Sequence, residues 1–236
     1  MSFFVLLYSR YDVLLEFYHQ CSGASWQKSK GWALATRPVS DWTGITVVTE
    51  TVKAADPEHA SSASELRSRN KVLRVSGVNL SRNSLSGCQV PWEAISELQS
   101  LTCFDLSHNN LRGGLPLSFH LHRCTKLDLS FNKLTGPLPA AFVASLPCLE
   151  SLCLSSNALT GEVPWEALQK MAGLKLLTLD SNDFAGPIPE NFDGCVSFSA
   201  YHISFFRFIS SLRNLLFLSG GGAWPSCMYR AQRSVH

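Results

Sequence analysis

The sequence predicts an α/β solenoid: a horseshoe with a parallel sheet on its concave side and a helical cap at its amino-terminal end. Three observations predict it. Five asparagines, Asn83, Asn109, Asn132, Asn157 and Asn182, recur at steps of 26, 23, 25 and 25 residues. Each sits in one short phrase. Leu80 to Gly87 returns at Leu106 to Gly113, Leu129 to Gly136, Leu154 to Gly161 and Leu179 to Gly186, the last with Phe184 in place of leucine. Ahead of the repeats runs an aromatic-rich stretch with regular landmarks, suited to closing the end of a stack. A period in the mid-twenties means coils that cannot bury their apolar faces singly and must stack.

The elements of a coil follow from its side chains. Around Leu101 the inward set is Leu101, Phe104, Leu106 and Leu111, and Phe104 and Leu106 alternate around Asp105 as in a half-buried strand. The matching sets are Val75, Val78, Leu80, Leu85; Cys124, Leu127, Leu129, Leu134; Leu149, Leu152, Leu154, Leu159; and Leu174, Leu177, Leu179, Phe184. After each strand the chain turns inward and carries backbone groups away from water. A buried asparagine amide can both donate to and accept from them, so the five asparagines are expected to form a structural ladder. Gly-x-apolar-Pro phrases then mark a turn, as at Gly136 to Pro139 and Gly161 to Pro164. Val90 to Ile95 and Val163 to Leu168 place Pro and then Glu where a short convex helix would start.

These repeats are identified as leucine-rich repeats. They resemble the plant-type form of receptor-kinase ectodomains, polygalacturonase inhibitors and protist (trypanosomatid-like) surface antigens, over about Val72 to Gly194. The resemblance implies a horseshoe that recognises a protein, peptide or glycan on its concave face, with no enzymatic activity and no cofactor in the repeats. The phrases Leu14 to Tyr18, Gly23 to Trp26, Gly31 to Trp32 and Asp41 to Ile45 are similar to the family's amino-terminal cap. Secreted plant members usually carry a cysteine pair around the last of these, whereas here only Cys21 lies in the region. The expected organisation is a cap over residues 1–48, a mobile insertion over 49–70, five clear repeats within 71–194, and a degenerate repeat, cap or tail over 195–236.

Twenty basic and eighteen acidic side chains give a formal charge of +2, too near neutral for a nucleic-acid partner. The eight cysteines show no framework spacing and no C-x-x-C, so mostly free, buried thiols are expected. His120, His122 and Cys124 look like a metal cluster, but Cys124 occupies a core position, and no metal site is expected. Phe3 to Tyr8 is apolar but short, lacks a basic start, and reads as a lead-in packed on the cap. Residues 203–218 are apolar yet carry Arg207, Arg213 and Asn214, so a helix covering the last coil is expected over a membrane span. Membrane association is therefore not favoured. The compartment stays open: the resemblance points to the surface or to secretion, the missing cap cysteines and signal to the cytoplasm.

The concave strand positions are the default binding surface. Arg82, Asp105, His108, Lys126, Asp128, Phe131, Thr178 and Asp180 are its candidate ligand-binding residues, and Phe131 is its one aromatic. Asp105 and Asp128 fall at the same position of neighbouring strands, a pair that could hold a cation or move a proton. No nucleophile elbow, zinc-protease helix or phosphate loop accompanies them. The expected function is a non-catalytic recognition module. The alternative is a fragment of a receptor or surface-antigen ectodomain.

Overall fold

The computed structural model describes residues 12–51 and 71–187, apart from 33, 35 and 36. The lead-in before residue 12, most of the expected insertion, the apolar segment 203–218, Cys195 and Cys227 lie outside the described residues.

The cap begins with a helix over 12–20 (α1) that turns Val13, Leu14 and Phe17 inward, one face of a 3.6-residue period. Phe17 meets Trp26, Trp26 meets Trp32 edge-on, and Trp32 meets Trp42, with ring centroids 5.8, 5.0 and 5.0 Å apart. Buried indoles need an acceptor. The Trp26 Nε1–H donates to the Cys21 carbonyl at 2.8 Å and the Trp32 Nε1–H to the Thr43 carbonyl at 2.9 Å. Gly44 is demanded by contact: its φ is +84°, and a Cβ there would stand 2.1 Å from the Asn79 carbonyl oxygen.

Strand β1 (Ile45–Thr51) pairs antiparallel with β2 (Lys71–Asn79), from Ile45 opposite Val78 to Thr51 opposite Lys71. The concave sheet, expected to be parallel throughout, thus starts with an antiparallel pair of strands. Residues 49–51, expected within the insertion, belong to this sheet, because the ladder of backbone bonds runs on to Lys71. Glu50 adds ion pairs to Arg74, at 2.9 Å, and to Arg123.

From β2 onward the sheet is parallel, one strand per coil: β2, β4 (Cys103–Asp105), β6 (Lys126–Asp128), β8 (Ser151–Cys153) and β10 (Leu176–Thr178). The stretches after the asparagines, expected only as turns, form small parallel sheets of their own. Strand β3 (Ser86–Gln89) pairs with β5 (Asn110–Arg112), and β9 (Ala158–Glu162) lies between β7 (Thr135–Gly136) and β11 (Asp183–Ala185). Stacking in register brings successive copies of this segment to strand spacing, which the pattern of one coil cannot show.

Every residue of the five expected inward sets is buried. Helices α2 (Trp92–Ser96), α3 (Ala140–Ala144) and α4 (Trp165–Gln169) form the convex side, each with proline at its N-cap. The coil between Asn109 and Asn132 has the shortest step and no helix there. Phe119 fills its place, fully buried between Trp92 and Phe142 at centroid distances of 5.1 and 6.0 Å.

The ladder holds coil to coil. Asn109 Oδ1 accepts from the backbone N–H of Asn83 and Leu85, while its Nδ2 donates to the carbonyls of Leu80, Leu106 and Ser107. Asn132, Asn157 and Asn182 repeat the pattern, accepting from Leu111, Leu134 and Leu159. Asn83 reaches back in the same direction, onto the cap: it accepts from the Lys28 N–H and donates to the Lys28 carbonyl, tying the cap to the first coil.

The expectation of mostly free, buried thiols holds in part: four of the six described cysteines are free, only Cys124 of them buried, and two are bridged. Cys21 and Cys88 are joined in a disulfide across 67 residues, with Cα atoms 5.0 Å apart. Cys21 directly follows α1 and Cys88 lies on β3, so their meeting depends on how the cap sits against the first coil. Cys103, Cys124, Cys148 and Cys153 are free thiols. Cys124 is buried in its leucine slot, and burial pushes its pKa up to about 12.

Candidate binding face

Three rows of side chains cross the concave strands. The first is Cys103, Lys126, Ser151 and Leu176, opposite one another in the sheet register. Lys126 is exposed there. Burial raises the Cys103 thiol, opposed by the nearby Lys126 ammonium. The second row is Asn79, Asp105, Asp128, Cys153 and Thr178. Burial likewise raises the Cys153 thiol.

The carboxylates of the second row are occupied by the fold. Asp105 Oδ1 accepts from the N–H of Ser107 at 3.0 Å and from its hydroxyl at 2.7 Å. Asp128 does the same for Ser130, at 3.1 and 2.6 Å. Asp105 is only 7% exposed. Where Cys153 replaces aspartate, the Ser155 hydroxyl reaches across to Asp180 Oδ1 on the next coil at 2.6 Å. Asp105 and Asp128 thus order the turn that follows their strands, by the local side-chain-to-backbone bonding that aspartate favours, while Asp180 joins two coils. Among the described residues no group of three or more His, Cys, Asp or Glu is arranged to hold a metal.

The third row stands where the strands end and the chain turns inward: Arg82, His108, Phe131, Ser156 and Ser181. All five adopt φ between +50° and +56°. For residues other than glycine this left-handed backbone costs about 1–2 kcal/mol each. Bonds between coils hold it: the N–H groups of Arg82, His108 and Phe131 donate to the carbonyls of Ser107, Ser130 and Ser155 at 2.9–3.0 Å. The conformation aims the side chains along one rim. The His108 and Phe131 rings stack at 4.2 Å, 6° from parallel, and Arg82 Nη2 lies 3.4 Å from His108 Nε2.

Arg82, His108 and Phe131 border an open groove of about 360 Å³, completed by Gln27 from the cap and by Ser84 and Asn110. Of the eight sequence candidates, the structure brings these three together. Lys126 and Asp128 share the strand face beside them. Thr178 and Asp180 lie two coils beyond Asp128. Sequence reasoning misses Gln27, Ser84 and Asn110. Ser84 and Asn110 sit beside the ladder asparagines at positions no periodicity singles out. Nothing local marks Gln27, whose N–H reaches the groove's edge by donating to the Asn83 carbonyl at 3.3 Å.

Leucine-rich-repeat family models match residues 100–121 and 122–184. No curated protein matches the chain. Among solved structures, the ectodomain of the receptor kinase SOBIR1 from Arabidopsis thaliana is 25% identical, with a TM-score of 0.59 over 80% of this chain and 90% of that one. The Arabidopsis receptor kinase HAESA, solved with the peptide hormone IDA and the co-receptor SERK1, is also 25% identical, with a TM-score of 0.61 over 80% of this chain but only 28% of its own. The BIR2 ectodomain from Arabidopsis thaliana, at 24% identity and a TM-score of 0.56, shares the fold. With five stacked coils, their asparagine ladder and these matches, the chain carries leucine-rich repeats that match the family over residues 100–184, in a fold similar to plant receptor-kinase ectodomains.

Proposed function

We propose that this chain is a non-catalytic recognition module that binds a protein or peptide on its concave side, in a cell-surface or secreted protein. The observation that carries the reading is Phe131. The residue is 49% exposed on the concave rim, its ring stacked on His108 and bordered by an open groove. A large aromatic held rigidly in water offers contact area at little cost in conformational entropy.

Three further observations support it. The paired carboxylates that could have done acid–base work are bonded to serines. A disulfide persists in oxidising compartments, which favours an extracellular setting over the cytoplasm. The similar receptor HAESA was solved with a peptide hormone and a co-receptor bound. Among the described residues no helix is long and apolar enough to cross a membrane.

A photo-crosslinking amino acid tests the face. Placed at Ser151 on the concave strands of the cell-displayed protein, it should capture a polypeptide, and placed at Leu117 on the convex connection it should not. Adducts from Leu117 alone would put the binding surface on the wrong side.

A further inference from the structure

We propose that the groove at Arg82, His108 and Phe131 takes an acidic side chain of a peptide, its carboxylate on Arg82 and a neighbouring apolar side chain on Phe131. This rests on the peptide-recognition reading above and names the chemistry of that site. Arginine has only donors, so in the Arg82–His108 contact the imidazole Nε2 is the acceptor. A carboxylate is the better acceptor: bonds between ionised partners are shorter and roughly twice as strong as neutral ones. Arg82 has no such partner among the described residues, where the ion pairs are those of Arg74, Arg123, Lys170 and Lys175.

The groove carries one sign of charge. No aspartate or glutamate lines it. The strand carboxylates Asp105 and Asp128 are hydrogen-bonded to Ser107 and Ser130. A carboxylate entering beside Arg82 therefore meets a cation and no fixed anion in the lining. The remaining lining suits a peptide and not a bare ion. The side chains of Gln27, Ser84 and Asn110 make no hydrogen bond among the described residues, leaving amides and a hydroxyl to pair with peptide backbone. Phe131 offers a ring beside them for an apolar neighbour. The rim is preorganised, because each of the three turns is pinned by a backbone bond to the next coil.

The test is selection from a displayed library of random heptapeptides on the whole chain, followed by titration of a selected synthetic peptide. Selected sequences should place Asp or Glu next to an apolar residue. Arg82→Gln should bind such a peptide about tenfold more weakly, the loss of one charge-assisted bond. Replacing the peptide's acid by its amide should cost as much, and adding that change to Arg82→Gln should cost little more. Arg82 is exposed, so the variant should keep the wild-type melting curve, and Arg82→Lys should recover part of the affinity. Peptides without acidic enrichment, or equal affinity for Arg82→Gln, overturn the acidic-ligand assignment, while binding that still falls with Phe131→Ala leaves the recognition reading standing. A library that yields no binder overturns both.

Discussion

The cap and the middle coils solve the same problem with different chemistry. In the middle, each coil has a neighbour on both sides, and identical leucine and asparagine positions satisfy one another by translation. Leu127 is buried between Phe104 and Leu152, opposite it on either side in the sheet. Asn132 bridges its own coil and the one before it. The first coil has no such neighbour below it. There the chain uses four elements that do not recur among the described residues: an antiparallel strand pair, a file of tryptophans, a disulfide and Lys28 as a backbone partner for Asn83. A one-dimensional stack can be generated from one rule, but its end is a separate construction.

Breaking the core of the middle should have the largest effect. Phe104→Ala removes a fully buried ring and should cost about 3–5 kcal/mol, read as a fall in the denaturant midpoint. A shift under about 1 kcal/mol would mean that the coils do not share one packed core.

Removing the staple tests the end. Cys21→Ser with Cys88→Ser should cost about 2–5 kcal/mol for a closure of this length. Hydrogen exchange should show the loss falling on α1 and the β1–β2 pair, with β6, β8 and β10 still protected. Uniform loss along the array would erase the distinction between cap and coils.

The ladder separates the two regions more finely. Asn132→Ala should cost about 1–3 kcal/mol by stranding buried turn amides. Asn157 is less buried than the other four, and Asn157→Ala should sit at the lower end of that range. An unchanged midpoint for Asn132→Ala would mean that the ladder carries no stability.

The smallest effect is chemical. Thiolate, not thiol, reacts with alkylating agents. Burial holds the Cys124 thiol protonated, its pKa pushed up to about 12, while Cys148 is exposed. Peptide mapping after alkylation at pH 8 should find Cys148 modified in the native protein and Cys124 modified only on unfolding. Equal labelling would mean that the middle coils open readily.

The sequence by itself determined the side-chain positions that repeat from coil to coil. The inward sets, the ladder and the concave row holding Asp105 and Asp128 were legible because each coil repeats the environment of the last. Even the short step between Asn109 and Asn132 was visible, and it is where the convex helix is missing. Tertiary structure decided what depends on meetings between unlike parts. Cys21 finds Cys88, and Gln27 joins the groove of Arg82 and His108, only because the cap packs on the first coil in one way. The left-handed turns that file Arg82, His108 and Phe131 along the rim arise from bonds to the next coil, which override local preference. The aspartates show the limit from the other side. Their position was legible, but their role was not, because the serine two residues on turns its hydroxyl back onto the carboxylate at the strand's end.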